Sequence, residues 1–295
     1  MTGSSGGSVR EMTSTPVAVV GTLNMDTVVT VAVRPGVGET VLGTSVRERC
    51  GGKGANQAIA AAAGASGVAL IGTVGDDDAG AAMLANARAA GVDVTHVGVK
   101  GDTSGRAFIE VDTSGDNRIV VVPGANSLLS PDAVRSALGA LDPRVVLTQL
   151  ECPPAVTESV ATWCTDRCTR FILNPSPVAP LPERILTAAD PLVVNEHEAR
   201  AYADSDTDLA EALLRRTTSA VITLGARGCI VATPGRRSAI AVTPAAEGVE
   251  TTGAGDHFAG ILAARIASGA DLHDAAAQAA DSATAYIANR HRLAD

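Results

Sequence analysis

Hydrophobic and polar positions alternate in blocks along this chain, and the blocks predict strands and helices in turn. Val17-Ala18-Val19-Val20-Gly21 reads as a short buried strand, and Val68 to Val74 as another. Val145 to Gln149, Phe171 to Leu173, Leu192 to Val194 and Ala220 to Thr223 repeat the pattern. Between them, residues 79–90 and 154–168 read as helices, the first ended by Gly91. Near the C-terminus Phe258, Ile261, Leu262 and Ile266 recur at helical spacing. They predict a helix that starts at Asp256 and stops at Gly269. Strands alternating with helices predict an α/β fold, a mostly parallel sheet flanked by helices in three layers.

Two patches break the alternation. Residues 27–48 and 105–122 are β-branched and contain no helical period. The second carries a turn at Thr113-Ser114-Gly115-Asp116-Asn117 between two apolar runs, the pattern of a hairpin. The two patches predict a small separate β-sheet, placed to act as a lid. Residues 1–15 are rich in Gly, Ser and Thr with no apolar core, so they read as a disordered lead-in and not a secretory leader. Residues 16–295 form the predicted domain.

Composition narrows the class. Hydrophobic residues make up 46% of the 295, enough for a large core, but aromatics are only 2%, which favours tight packing of Val, Ala and Leu. A net charge of −9 argues against a nucleic-acid or anionic-membrane binder. No apolar run is long enough to span a bilayer. The five cysteines show no C-x-x-C pair, which points to a reducing, cytoplasmic setting without structural zinc.

Candidate chemistry sits where strands end. In open α/β sheets, ligands bind at the carboxyl ends of strands. Asn24, Asp26, Glu151, Asn174, Asn195, Glu198 and Thr223 fall there and would line one edge. Two Gly-rich loops precede predicted helices. Gly51-Gly52-Lys53-Gly54 leads into one, with Asn56 a turn inside, and its glycines would let a ligand approach the backbone. It lacks the spacing of a Walker A loop or a dinucleotide fingerprint. Gly253-Ala254-Gly255-Asp256 opens the other, where free N–H groups and the helix dipole suit an anion. A carboxylate there suits proton abstraction. Ordinary helix starts and Asn/Asp turns fit the same residues taken singly.

Taken together, Gly51-Gly52-Lys53-Gly54-Ala55-Asn56-Gln57-Ala58 and Thr251-Thr252-Gly253-Ala254-Gly255-Asp256 resemble the ribokinase-like (PfkB) carbohydrate kinases. Gly75-Asp76-Asp77, Asn195-x-x-Glu198 and Thr223 to Gly228 support the likeness, which spans about Val17 to Arg290. Within the family, the first motif with Asn24, Asp26 and Glu151 is most similar to the ribokinases. The resemblance implies ATP-dependent phosphorylation of a sugar's primary hydroxyl, with D-ribose or a close pentose as substrate. It implies Asp256 as base and Gly253, Ala254 and Gly255 as the anion hole. Asn24, Asp26, Gly52, Lys53, Asn56 and Glu151 would hold the sugar. Asn195, Thr223, Gly225, Gly228 and Asp281 would lie by the nucleotide, and Glu198 by Mg²⁺, through water. A homodimer joined through the lid sheet is also implied.

The sequence departs from the family in places. Glu250 replaces the usual Asp of a monovalent-cation site that would include Thr252 and Arg290, and the chain ends soon after, so K⁺ activation is an open expectation. Asp281 stands where an Asn or His is usual. A nucleoside, deoxyribose or ketohexose kinase of the same fold stays open, as does a non-catalytic sugar- or nucleotide-binding protein.

Overall fold

The computed structural model describes residues 16–112, 117–203, 208–243 and 251–294, with side chains as far as 289. The lead-in at 1–15 and Glu250 lie outside the described residues. The path begins with β1 (Val17–Val20), β2 (Asn24–Val31), β3 (Gly43–Gly51), α1 (Lys53–Gly64), β4 (Val68–Val74) and α2 (Asp78–Ala89). Short β5 (Val92–Asp93) and β6 (Val97–Val99) follow, then β7 (Gly105–Val111) and β8 (Asn117–Val122). Alternation resumes with α3 (Pro131–Leu141), β9 (Val145–Thr148), α4 (Pro154–Arg167), β10 (Arg170–Leu173), α5 (Glu183–Ala188) and β11 (Leu192–Asn195). Next come α6 (Glu196–Tyr202), α7 (Leu209–Leu214), β12 (Ala220–Thr223), β13 (Cys229–Thr233) and β14 (Arg236–Ile240). Helices α8 (Ala254–Ala267) and α9 (Leu272–Ala294) close the chain.

The large sheet runs β14-β13-β12-β11-β10-β9-β1-β4-β5, with β6 also on β4. It is parallel from β5 to β12 and antiparallel at β13 and β14. Period-two alternation divides each strand between two cores. Val17 and Val19 face the layer of α1, α2, α8 and α9, while Ala18 and Val20 face α3 to α7. Burial on both faces explains why the strands read as continuous apolar runs. The three-layer α/β expectation therefore holds.

The small sheet has the order β3-β2-β7-β8. Its β2–β7 pair is parallel and the others are antiparallel. Both β-only patches contribute, as expected, and β7 and β8 pair antiparallel, with the expected turn at 113–116 lying outside the described residues. The first patch reaches further than 27–48, because β2 starts at Asn24 and β3 ends at Gly51. Two of the candidate sugar residues, Asn24 and Asp26, are therefore part of the small sheet itself.

One helix boundary differs from the sequence expectation. Helix α8 starts at Ala254 rather than Asp256, because Gly253 takes φ 85° and serves as the N-cap. Gly64 is the last residue of α1. A Cβ on Gly64 would stand 3.0 Å from the Ala264 Cβ, so the glycine lets α1 pack closely against α8. At its far end α8 closes as expected at Gly269, with Ala270 N–H donating to the Arg265 carbonyl.

Candidate active site

The starts of α1 and α8 lie side by side at the carboxyl edge of the large sheet. Asp256 sits in the first turn of α8 and is buried. Gln57 Nε2 donates to its Oδ1 at 2.9 Å, and Asn56 Nδ2 reaches its Oδ2 at 3.4 Å. Lys53 Nζ stands 3.8 Å from Oδ1. First-turn N–H groups have no acceptor inside their own helix, so Gly255 and Asp256 present theirs beside the carboxylate. A Cβ on Gly255 would meet nothing within 4 Å, so the approach to this turn is open.

A cleft of about 160 Å³ opens on this turn. Lys53, Asn174, Ser176, Asn195, Glu198, Thr223, Gly253, Gly255 and Asp256 line it. The polar strand-end row is thus real on this side: Asn174 follows β10, Asn195 ends β11 and Thr223 ends β12. Asn195 and Glu198 form a reciprocal capping box at the start of α6. Glu198 N donates to Asn195 Oδ1 at 2.8 Å, and Asn195 N to Glu198 Oε2 at 2.9 Å.

The sugar-side candidates gather at the junction of the two sheets. Glu151 Oε2 accepts from the Thr22 hydroxyl and, at 3.2 Å, from Lys53 N, capping α1 from 98 residues away. Asn24 Oδ1 accepts from Asn126 Nδ2 at 2.9 Å. Asn126 also bonds both Leu23 N and Leu23 O at 3.0 Å, pinning the β1–β2 crossing. The Asn24 NH₂ has no protein acceptor among the described residues. Burial lifts the Asp26 carboxyl above its ordinary value. Arg49, its Nε 3.4 Å from Oδ2, opposes that shift, and the charges of Glu151 and Asp256 add to it.

The glycines of the first loop have a use the sequence did not suggest. A Cβ on Gly54 would stand 2.4 Å from the Gly21 carbonyl carbon, and one on Gly51 2.4 Å from the Asp26 carboxylate. The close approach there is protein on protein. Gly52 takes φ 89°, hard against Asn24 N and Thr22 O.

Other predicted positions lie further out. Gly225 (φ 60°) and Gly228 (φ 89°) shape the turn after β12, and Gly228 abuts the Ile240 carbonyl. Asp281 is exposed on α9, beside Ser282. Thr252 lines a different cleft, of about 350 Å³, with Val28, Arg49, Ile109 and Ile119 of the small sheet. That cleft sets a face of the small sheet over the entry to α8. With Glu250 and the Arg290 side chain outside the described residues, Thr252 alone represents the expected cation site.

Sequence reasoning missed Gln57, Gln149, Asn126, Arg49 and His257 as site residues. His257 stacks on Tyr286 with centroids 4.5 Å apart, and its Nε2 lies 2.9 Å from Ser282 Oγ. Burial pushes its pKa down, so the ring joins α8 to α9 as a neutral group at pH 7. All five cysteines are free. Burial pushes the Cys152 and Cys164 thiols up to about 12 and Cys229 to about 11, which makes them poor nucleophiles.

A buried carboxylate at a helix start, beside first-turn N–H groups and a polar cleft, has the parts that phosphoryl transfer can use. Comparison with known proteins agrees. The profile described as pfkB family carbohydrate kinase matches residues 14–291, and the chain belongs to that family. It is 40% identical over 261 residues to a ribokinase of Bacillus subtilis, covering 88% of both chains. The structure of a Thermotoga maritima ribokinase superposes with TM-score 0.84 at 28% identity, over 92% of this chain and 93% of that one. An Arabidopsis thaliana ribokinase complexed with ribose and ATP gives 0.82 at 26% identity, over 93% of each chain.

Proposed function

We propose that the chain is an ATP-dependent ribose kinase, transferring the γ-phosphoryl group to the primary 5-hydroxyl of D-ribose. The observation that carries this reading is Asp256, a buried carboxylate beside free N–H groups at the start of α8. The likeness to ribokinases supports the choice of sugar. Asp256 takes the hydroxyl proton. Gly253, Ala254 and Gly255 shape the turn whose N–H groups and dipole receive the negative charge of the transferred group.

Asn24, Asp26, Lys53, Asn56 and Glu151 hold the sugar's other hydroxyls, and Gly52 sets the backbone between them. The unpaired NH₂ of Asn24 and the raised carboxyl of Asp26 are groups that gain from a polar ligand. Asn195, Thr223, Gly225 and Gly228 flank the nucleotide, with Asp281 at the rim. Glu198 commits Oε2 to its capping box and has no protein donor on Oε1 among the described residues. One carboxylate plus phosphates and waters is a fitting set for Mg²⁺, which Glu198 would hold through water. When bound, Mg²⁺ neutralises phosphate charge. The small sheet lies beside the start of α8 and would shield the transfer from water.

A coupled ATP-consumption assay over pentoses, hexoses and nucleosides tests the reading. D-Ribose is expected to drive ADP release most efficiently. Asp256→Asn is expected to lose turnover while ribose affinity stays within about tenfold, since the base acts in the transition state. Turnover with a nucleoside and none with ribose would refute the substrate. Near-normal kcat in Asp256→Asn would refute the base.

A further inference from the structure

The group that holds the base most tightly faces no ligand. Gln57 is fully buried on α1. Its Nε2 donates to Asp256 Oδ1 at 2.9 Å and to Asn174 Oδ1 at 3.1 Å. Its Oε1 accepts from Gln149 Nε2 at 2.5 Å. Asn174 Nδ2 in turn donates to the Val193 carbonyl at 2.9 Å. Both donors and the acceptor of the Gln57 amide are therefore used. Reversing the amide would turn its oxygen toward two acceptor oxygens and its nitrogen toward the Gln149 nitrogen, so one orientation is fixed. The anchors come from three neighbouring strands: Gln149 follows β9, Asn174 follows β10, and Val193 lies in β11.

The two oxygens of Asp256 are consequently unequal. Oδ1 takes the short bond from Gln57 and faces Lys53 Nζ. Among the described residues Oδ2 has only the long 3.4 Å contact from Asn56. We propose that Gln57 is a positioning residue for the base, committing Oδ1 to the strand-anchored amide and leaving Oδ2 to take the proton. This rests on the ribose-kinase reading. In the step, the sugar O–H bond breaks and its proton goes to Oδ2. The hydroxyl oxygen bonds the γ-phosphorus as the bond from that phosphorus to the bridging oxygen breaks, and ADP leaves. The Gln57 amide exchanges no proton in this step.

Gln57→Met and Gln57→Glu, assayed with ATP and D-ribose from about pH 5 to about pH 9, test the proposal. In Gln57→Met, kcat is expected to fall about 10- to 100-fold while KM for ribose stays within about threefold. In Gln57→Glu, two carboxyls share the site, and the acid limb of kcat is expected to move to higher pH. A space-filling role would lower the melting temperature and leave that limb in place. An unmoved limb in folded Gln57→Glu, or kcat within about twofold of the unsubstituted chain in Gln57→Met, overturns the proposal. If neither variant folds, Gln149→Met frees the Gln57 carbonyl and leaves Gln57 itself. There kcat must fall at unchanged KM, and an unchanged kcat overturns the proposal. Failure of the underlying reading looks different, because the unsubstituted chain would then consume no ATP with ribose.

Discussion

Asp26 shows stability and ligand-readiness in conflict within a single side chain. Its folded-state pKa is raised by burial, only partly offset by Arg49. For a carboxyl raised in this way the folded state holds its proton longer than the unfolded state does. Its contribution to stability is full below the unfolded value of 3.8 and is lost as pH rises through the folded value. Asp26→Asn is therefore expected to melt at a higher temperature than the unsubstituted chain at pH 7. It should also lose part of the stability fall above pH 3.8, and bind ribose more weakly. Thermal melts of both proteins across that range check this, and identical pH slopes would sink it. Asp26 was legible in the sequence because it stands next to a strand end. Its surroundings were not. Arg49 is 23 residues away in the chain, and Asn126, which fixes Asn24, is 102 away. Gln57 meets Asp256 across 199 residues. No local pattern carries such pairings, so a reading by motif finds the carboxylates and misses the amides that hold them.

Among elements, the decisive pair is α1 and α8. Each carries one Gly-rich start, and they pack through small side chains: Ala58 and Ala61 against Ala259, Ala263 and Ala264 belong to one core. Gly260 is the closest point. A Cβ there would stand 2.3 Å from the Gln57 carbonyl oxygen and 2.6 Å from the Ala60 Cβ. Gly260→Ala is thus expected to push the helices apart, at a cost of about 1–3 kcal/mol for overpacking. Because it presses on Gln57, kcat should fall as well, although Gly260 lies a turn away from Asp256, the proposed base. Urea unfolding and kcat measure the two effects, and a variant equal to the unsubstituted chain in both would show that the seam can yield. The scarcity of aromatic residues foretold such close packing in general. It did not say which helices meet, and so the close contact of Gly64 with α8 was not legible.

At the scale of the whole molecule, the alternating fold was legible because both faces of the large sheet are buried and its strands read as apolar blocks. The small sheet was legible as two β-only patches. Its mixed pairing was not, since nothing local sets β2 parallel to β7. Its edge strand β8 exposes Ile119, Val120, Val121 and Val122. An apolar edge of this kind favours a partner, and we propose that two copies of the chain associate through it. Light scattering is expected to give a dimer mass, and Val120→Lys a monomer that still folds. A monomer mass for the unsubstituted chain would refute the proposal.

The small sheet also joins the body by four chain crossings: before β2, after β3, before β7 and after β8. Asn24 and Asp26 lie on β2, and Arg49 on β3. It is therefore no detachable module. Excising it would remove Asn24 and Asp26 from the proposed sugar site and sever the chain in two places, and swapping in a relative's version would exchange cover and part of that site together. Substrate range in this architecture has to be re-engineered one strand root at a time.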